Sequence, residues 1–213
     1  GATQRPLNRQ YAALAQALNY APPSFDPFDR LTDVDADLSA GNTIGGASLR
    51  AELELGEGLL TSITAWRYWD WQPANDRDFL GLPITTVSQN PSRQDQYTQE
   101  FRYSLSTDRF DLLLGAFAFH QAVRTLQVQG PAASRWLLNP TSALANAPTV
   151  LDGLTARNDI RLDNTSLALF GQLNWNVTDT FSIQPGFRVN YDLKEGLYDS
   201  VVTNGAGQLV TFA

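Results

Sequence analysis

From residue 48 onward, hydrophobic and polar positions alternate with a period of two. In SLRAELEL (48–55), Leu49, Ala51, Leu53 and Leu55 alternate with Ser48, Arg50, Glu52 and Glu54, as in a strand with one apolar face. LLTSITAWRYWDW (59–71) follows the short turn GEG (56–58). Its parity groups Ile63, Ala65, Trp69 and Trp71 on one face and Ser62, Thr64 and Asp70 on the other. QYTQEFRYSLS (96–106) sets Tyr97, Phe101, Tyr103 and Leu105 against Thr98, Glu100, Arg102 and Ser104. The turn TDR (107–109) leads to FDLLLGAFAFHQAVRTLQVQ (110–129). SLALFGQLNWNV (166–177) and FSIQPGFRVNYDLK (181–194) flank a third short turn, TDT (178–180).

The pattern predicts three hairpins with tight turns, separated by polar stretches over about 72–93 and 130–160. Long structureless connections count against a compact soluble domain. They are expected of a transmembrane barrel, with short turns on the periplasmic side and long loops outside. The predicted strands also exceed the five or six residues usual in globular sheets. Their polar positions carry mostly Ser, Thr, Gln, Asn and Arg, which suits a wet lumen. Residues 1–42 show no strand pattern and are read as a loop region with one short helix over YAALAQALNY (11–20); 43–213 are read as one partial barrel.

Composition sharpens this picture. Charged residues make up 17% of the chain, low against about 25% for an average globular domain. The net charge of −7 argues against nucleic acid as the partner, because phosphate binding needs a basic face. There is no Cys, hence no disulfide, thiolate metal site or cysteine nucleophile. The longest apolar run, LLLGAFAF (112–119), is far shorter than the roughly 20 residues of a spanning helix. A barrel strand never produces such a window. The chain also lacks Met and is expected to be a processed or excised segment.

Several stretches together resemble TonB-dependent outer-membrane receptors. Ser62-Ile63-Thr64-Ala65-Trp66-Arg67 and Gln99-Glu100-Phe101-Arg102-Tyr103 resemble that family's paired "SITAYR" and "QEFRL" strands. FDLLLGAFAFHQ (110–121) resembles its "W..GLYY" strand. Residues 166–196 are similar to its "FGQ…TD…GlRy" hairpin, anchored by Phe170-Gly171-Gln172, Thr178-Asp179 and Gly186-Phe187-Arg188. The resemblance covers about residues 43–198. It implies an all-β fold: an antiparallel, up-and-down transmembrane β-barrel segment of about six strands. It also implies import of a scarce solute, foremost a ferric siderophore, through a 22-stranded barrel closed by a plug that contacts TonB. Neither plug nor TonB-contacting segment is recognisable here, so the chain is expected to be an interior piece that does not transport by itself. Outer-membrane lipid, a small solute and TonB (through a plug) are the implied partners. A plugless porin and a soluble β-sandwich with a sugar-binding aromatic surface are the alternatives.

Candidate site residues are few. Asp76 and Arg77 in the first long loop, with Arg93 at its far end, are the expected solute contacts, since the Arg fork binds paired oxygens. Trp69, Trp71, Tyr97 and Trp175 are expected at the membrane interface, with Trp66 and Tyr68 turned to the lumen or against a plug. Asp33, Asp35 and Asp37 resemble the start of a calcium loop, but Leu38 and Ile44 stand where Gly and Glu are required; a solvated acidic loop is the expectation. His120 is the sole histidine, which leaves no nitrogen ligand set or catalytic dyad. No metal site, cofactor or enzymatic activity is expected.

Overall fold

The computed structural model describes residues 19–81, 85–132 and 153–210, so the helix expected over 11–20 lies, but for its last two residues, outside the described residues. Beyond one short 3-10 turn, Pro27–Asp29, every described regular element is a strand. In chain order they are β1 (Ser39–Leu55), β2 (Gly58–Ala74), β3 (Thr85–Gln89), β4 (Ser92–Ser106), β5 (Phe110–Ala132), β6 (Leu154–Thr178), β7 (Phe181–Ile183) and β8 (Gly186–Thr203).

All belong to one antiparallel sheet, and two of the breaks are made by proline. Pro91 and Pro185 have no N–H to give the ladder. The ladder nonetheless continues past both: Leu126 N–H donates to Pro91 O at 2.9 Å and Leu173 N–H to Pro185 O at 2.9 Å. Gln89↔Val128 and Ser92↔Thr125 keep one register, as do Trp175↔Ile183 and Gln172↔Gly186. The eight segments are therefore six long strands in an up-and-down meander, β1, β2, β3–β4, β5, β6 and β7–β8. The all-β, three-hairpin reading stands.

The three tight turns fall where expected. Gly56, at φ 63°, supplies the left-handed residue between β1 and β2. At the second turn the Thr107 hydroxyl accepts from Phe110 N–H at 3.1 Å, and Thr107 N–H donates to Phe110 O at 2.9 Å. At the third, Thr178 Oγ1 accepts from Thr180 N–H at 3.3 Å.

At the other end the strands run well beyond the alternating patterns. β1 begins at Ser39 rather than 48, β5 reaches Ala132 and β6 starts at Leu154. β5 and β6 are 23 and 25 residues long, more than twice the roughly ten needed to cross a bilayer at a tilt. Stretches such as TARNDIRLDNTS carry polar groups on both faces, so their strand character shows only through pairing with a neighbour.

The sheet has no second layer. Ala168 is the one fully buried apolar residue among those described. A β-sandwich would bury the facing side chains of two sheets in a core about 10 Å thick. Here a single wall presents two surfaces.

Candidate functional site

Which residues share a surface follows from the ladder, because directly paired residues point to the same face. On β1, Leu49, Leu53 and Leu55 pair with Thr64, Leu60 and Gly58. The next pairs are Leu60↔Tyr103, Ser62↔Phe101 and Trp66↔Tyr97. Phe101↔Ala116 and Tyr103↔Leu114 carry the face to β5. Ala116↔Leu169 and Ala118↔Leu167 carry it to β6, and Leu169↔Val189 and Leu167↔Tyr191 to β8. This is the apolar face. Its bulk is exposed leucines, aromatics and valine, with Leu49, Leu169 and Val189 each more than 60% accessible.

The apolar band has sharp ends. It runs from Phe110 to His120 on β5 and from Thr165 to Trp175 on β6. Segments of that length, tilted by about 45°, match the roughly 25 Å apolar band of an outer-membrane barrel. Beyond His120 the same face turns charged, with Asp95, Asp163 and Glu195 in one cross-strand row and Arg93, Arg124 and Arg161 in the next. His120 itself sits at that boundary, its Nδ1 3.0 Å from Thr165 Oγ1.

The grouping of β2 residues by parity holds, but the side that continues the apolar face of the neighbouring strands is that of Trp66 and Tyr68 rather than that of Trp69 and Trp71. Trp66 and Tyr68 lie on the apolar face, their rings stacked with centroids 5.3 Å apart. Trp69 and Trp71 lie on the opposite face, stacked at 5.7 Å. Both faces of β2 mix apolar and polar residues, so alternation within the strand could not rank them. The polar residues on its apolar side, Ser62 and Thr64, are satisfied by Gln99 of β4: Gln99 Nε2 donates to Ser62 Oγ at 3.0 Å and Thr64 Oγ1 donates to Gln99 Oε1. Paired in this way, a polar side chain is tolerated on an apolar surface. Tyr97 and Trp175 do lie on the apolar face, near its upper and lower ends.

The opposite face is polar with aromatic inserts. Arg67, Gln96, Gln121, Asn164 and Lys194 form one cross-strand row. Asn164 Oδ1 is buried without a hydrogen-bond partner among the described residues. Directly above this row stand Trp69, Val123 and Leu162, and then Trp71, Ile160 and Tyr198. Trp69 Nε1 donates to Asn42 Oδ1 at 2.6 Å, which fixes its ring. Lower on this face the Arg188 guanidinium lies 5.4 Å from the centroid of the Phe170 ring.

Of the three expected solute contacts, two are corrected. Asp76 is fully buried, and its carboxylate accepts from three backbone N–H groups: Asp78 at 2.9 Å, Phe79 at 2.7 Å and Asp35 at 3.1 Å. It staples the first loop to the preceding segment and has no surface for a solute. Arg93 is not a loop residue; it stands on β4, on the same face as the apolar band, paired with Asp95 at 3.1 Å. Arg77 is exposed on the loop.

Around the staple, burial and then the Asp76 charge push the Asp78 carboxyl up to about 6. The same two causes, in the same order, raise Asp35. Asp33 accepts from the Tyr20 hydroxyl at 2.6 Å. No group of three metal-ligating side chains converges among the described residues.

Comparison with known proteins agrees with this geometry. The family model "TonB dependent receptor-like, beta-barrel" matches residues 1–209. No curated protein matches the chain. Among solved structures, the chain is similar to the ferric yersiniabactin uptake receptor FyuA from Yersinia pestis, with a TM-score of 0.55 and 16% identity. The match covers 84% of this chain and 26% of that one, so the chain spans about a quarter of the receptor's length. At that identity the likeness speaks for the fold, and the family model speaks for descent. The chain belongs to the TonB-dependent receptor-like β-barrel family.

Proposed function

We propose that the chain forms part of the wall of an outer-membrane receptor that imports a scarce solute, a ferric siderophore by the reading favoured here. Family members are receptors and transporters rather than enzymes. The observation that carries the proposal is the two-faced wall. An apolar band of bilayer height faces one way, while a polar row topped by fixed indoles faces the other.

In this reading Leu49, Phe101, Leu169 and Val189 face lipid tails, while Trp66, Tyr68 and Tyr97 mark the outer interface and Trp175 the periplasmic one. Trp69 and Trp71 face the lumen above the membrane, where a solute enters. The Arg67–Lys194 row below them offers amide and cationic donors to an anionic, oxygen-rich solute. Exposed Arg77 reaches it from the loop. A plug domain elsewhere in the full-length receptor would close the lumen and contact TonB. The long-loop end is extracellular, since tight turns lie on the periplasmic side in such barrels.

The test is uptake of a radiolabelled ferric siderophore panel by iron-starved cells carrying or lacking the gene. Loss of uptake of one member on deletion, and a several-fold weaker uptake with Trp69→Ala/Trp71→Ala, is the expected result. Unchanged uptake of every siderophore on deletion would leave another scarce solute or a different activity to be sought.

A further inference from the structure

β2 sets a cation and two indoles in line on the face opposite the apolar band. Arg67, Trp69 and Trp71 share one parity of that strand, so each stands roughly 7 Å beyond the last toward the long-loop end. The two rings are stacked at 5.7 Å with 15° between their planes, and the Trp69 Nε1 bond to Asn42 Oδ1 fixes the pair. Side chains that are already ordered lose little freedom when a ligand settles on them.

Arg67 is exposed and makes no ion pair or hydrogen bond among the described residues. The arginines of β1 and β4 are each neutralised by a carboxylate two residues away: Arg50 by Glu52, Arg93 by Asp95 and Arg102 by Glu100. β2 offers Arg67 no such partner. Positions 65 and 69 hold Ala and Trp, and the direct neighbours of Arg67 across the ladder are Gly46 and Gln96. Gly46 keeps the place clear, since a Cβ there would come within 3.1 Å of Arg67 Cγ and 2.5 Å of the Trp66 carbonyl oxygen. A guanidinium fork open to a ligand with paired oxygens thus stands one step below a preordered indole pair.

We propose that Arg67, Trp69 and Trp71 bind an aryl carboxylate end of the imported solute, its ring against the indoles and its carboxylate on Arg67. A flat ring suits the near-parallel indoles, and a carboxylate suits the fork. One step of the strand is about the length of two fused six-membered rings, so a bicyclic aryl acid reaches from the guanidinium to the Trp69 ring. The solute enters carboxylate first, because Arg67 lies on the membrane side of the tryptophans. A free aryl acid and an aryl carboxylate arm of a ferric chelate share this chemistry. The inference deepens the receptor reading given above and rests on this face lining the lumen.

The test measures binding of a ring-fluorinated naphthoate to the full-length receptor in neutral detergent by fluorine NMR, against receptor-free micelles. Saturable binding is expected, weakened about tenfold by Arg67→Gln and several-fold by Trp69→Ala, as loss of a charge-assisted pair and of a ring contact implies. The neutral naphthamide should bind about tenfold more weakly than the acid. It should bind the wild type and Arg67→Gln equally, which shows that the variant is folded. Arg124→Gln, on the opposite face at a similar height, should change nothing. Absence of saturable binding, acid and amide binding alike, or Arg67→Gln binding the acid as the wild type does would each overturn the site. Accumulation of radiolabelled naphthoate by cells carrying the gene marks the free acid as cargo; competition with ferric-siderophore uptake, without accumulation, marks the arm of a chelate. If deletion of the gene leaves all uptake unchanged while the acid still binds through Arg67, the receptor reading fails and the site stands. If a siderophore lost on deletion is imported normally by Arg67→Gln, the site fails alone.

Discussion

The ring of Phe170 on β6 occupies the space that a side chain at Gly115 on β5 would need: a Cβ there would come within 2.1 Å of it. The two residues are directly paired, and the ring in turn lies beneath the Arg188 guanidinium. A glycine inside a strand costs backbone entropy, so its place here rests on what it lets the neighbour do. Gly115→Val should push Phe170 off its position and destabilise the barrel by about 1–3 kcal/mol, the usual cost of overpacking. Thermal unfolding in detergent would read this as a lowered midpoint. In a Phe170→Ala background the same substitution should cost much less, a coupling that a double-mutant cycle isolates.

The two tryptophan pairs should report different solvents. With single-tryptophan variants in vesicles, bromine on the lipid chains should quench Trp66 strongly and Trp69 or Trp71 weakly, while aqueous iodide does the reverse. Equal quenching of Trp66 and Trp69 by brominated lipid would contradict the ladder's assignment of faces.

Removing the Asp76 carboxylate leaves three backbone N–H groups without an acceptor. Hydrogen bonds to a charged group contribute about 1.5–3 kcal/mol each, so Asp76→Ala should release the first loop from residue 35 while the sheet stays folded. Trypsin cleavage after Arg77 is expected to accelerate more than tenfold, with no change in the midpoint of barrel unfolding.

The loop's tether should also depend on pH through Asp78. Its folded pKa, about 6, lies above the ordinary carboxyl value of 3.8, so the folded loop binds the proton more tightly than the released one. The resulting stabilisation is full below about 4, falls as pH rises through 6, and is gone above that. Protection of the Phe79 and Thr85 amides, corrected for intrinsic exchange, should therefore be lower at pH 7.5 than at pH 4.5. Asp78→Asn should flatten most of that difference; Asp35, raised by the same causes, supplies the remainder.

Strand number, hairpin pairing and all three tight turns were legible in the chain because each depends on neighbours in sequence. Alternation with period two and a Gly or Thr-Asp turn are local signals, and they marked the part of the sheet that carries the apolar band. The strand extensions above it were not legible: where both faces are wet, polarity no longer alternates, and only the ladder shows that TARNDIRLDNTS is strand. The side to which β2 turns its indoles was likewise decided in three dimensions. Its two parities are nearly equal in hydrophobicity, and the register Leu53↔Leu60 and Trp66↔Tyr97 chose between them, with Gln99 satisfying the hydroxyls that this choice exposed. The fates of Asp76 and Arg93 have the same origin. A charged residue beside a loop can be a ligand contact, a buried staple or part of a charged row across neighbouring strands. What separates these is which backbone amides and which neighbouring strands fold up against it.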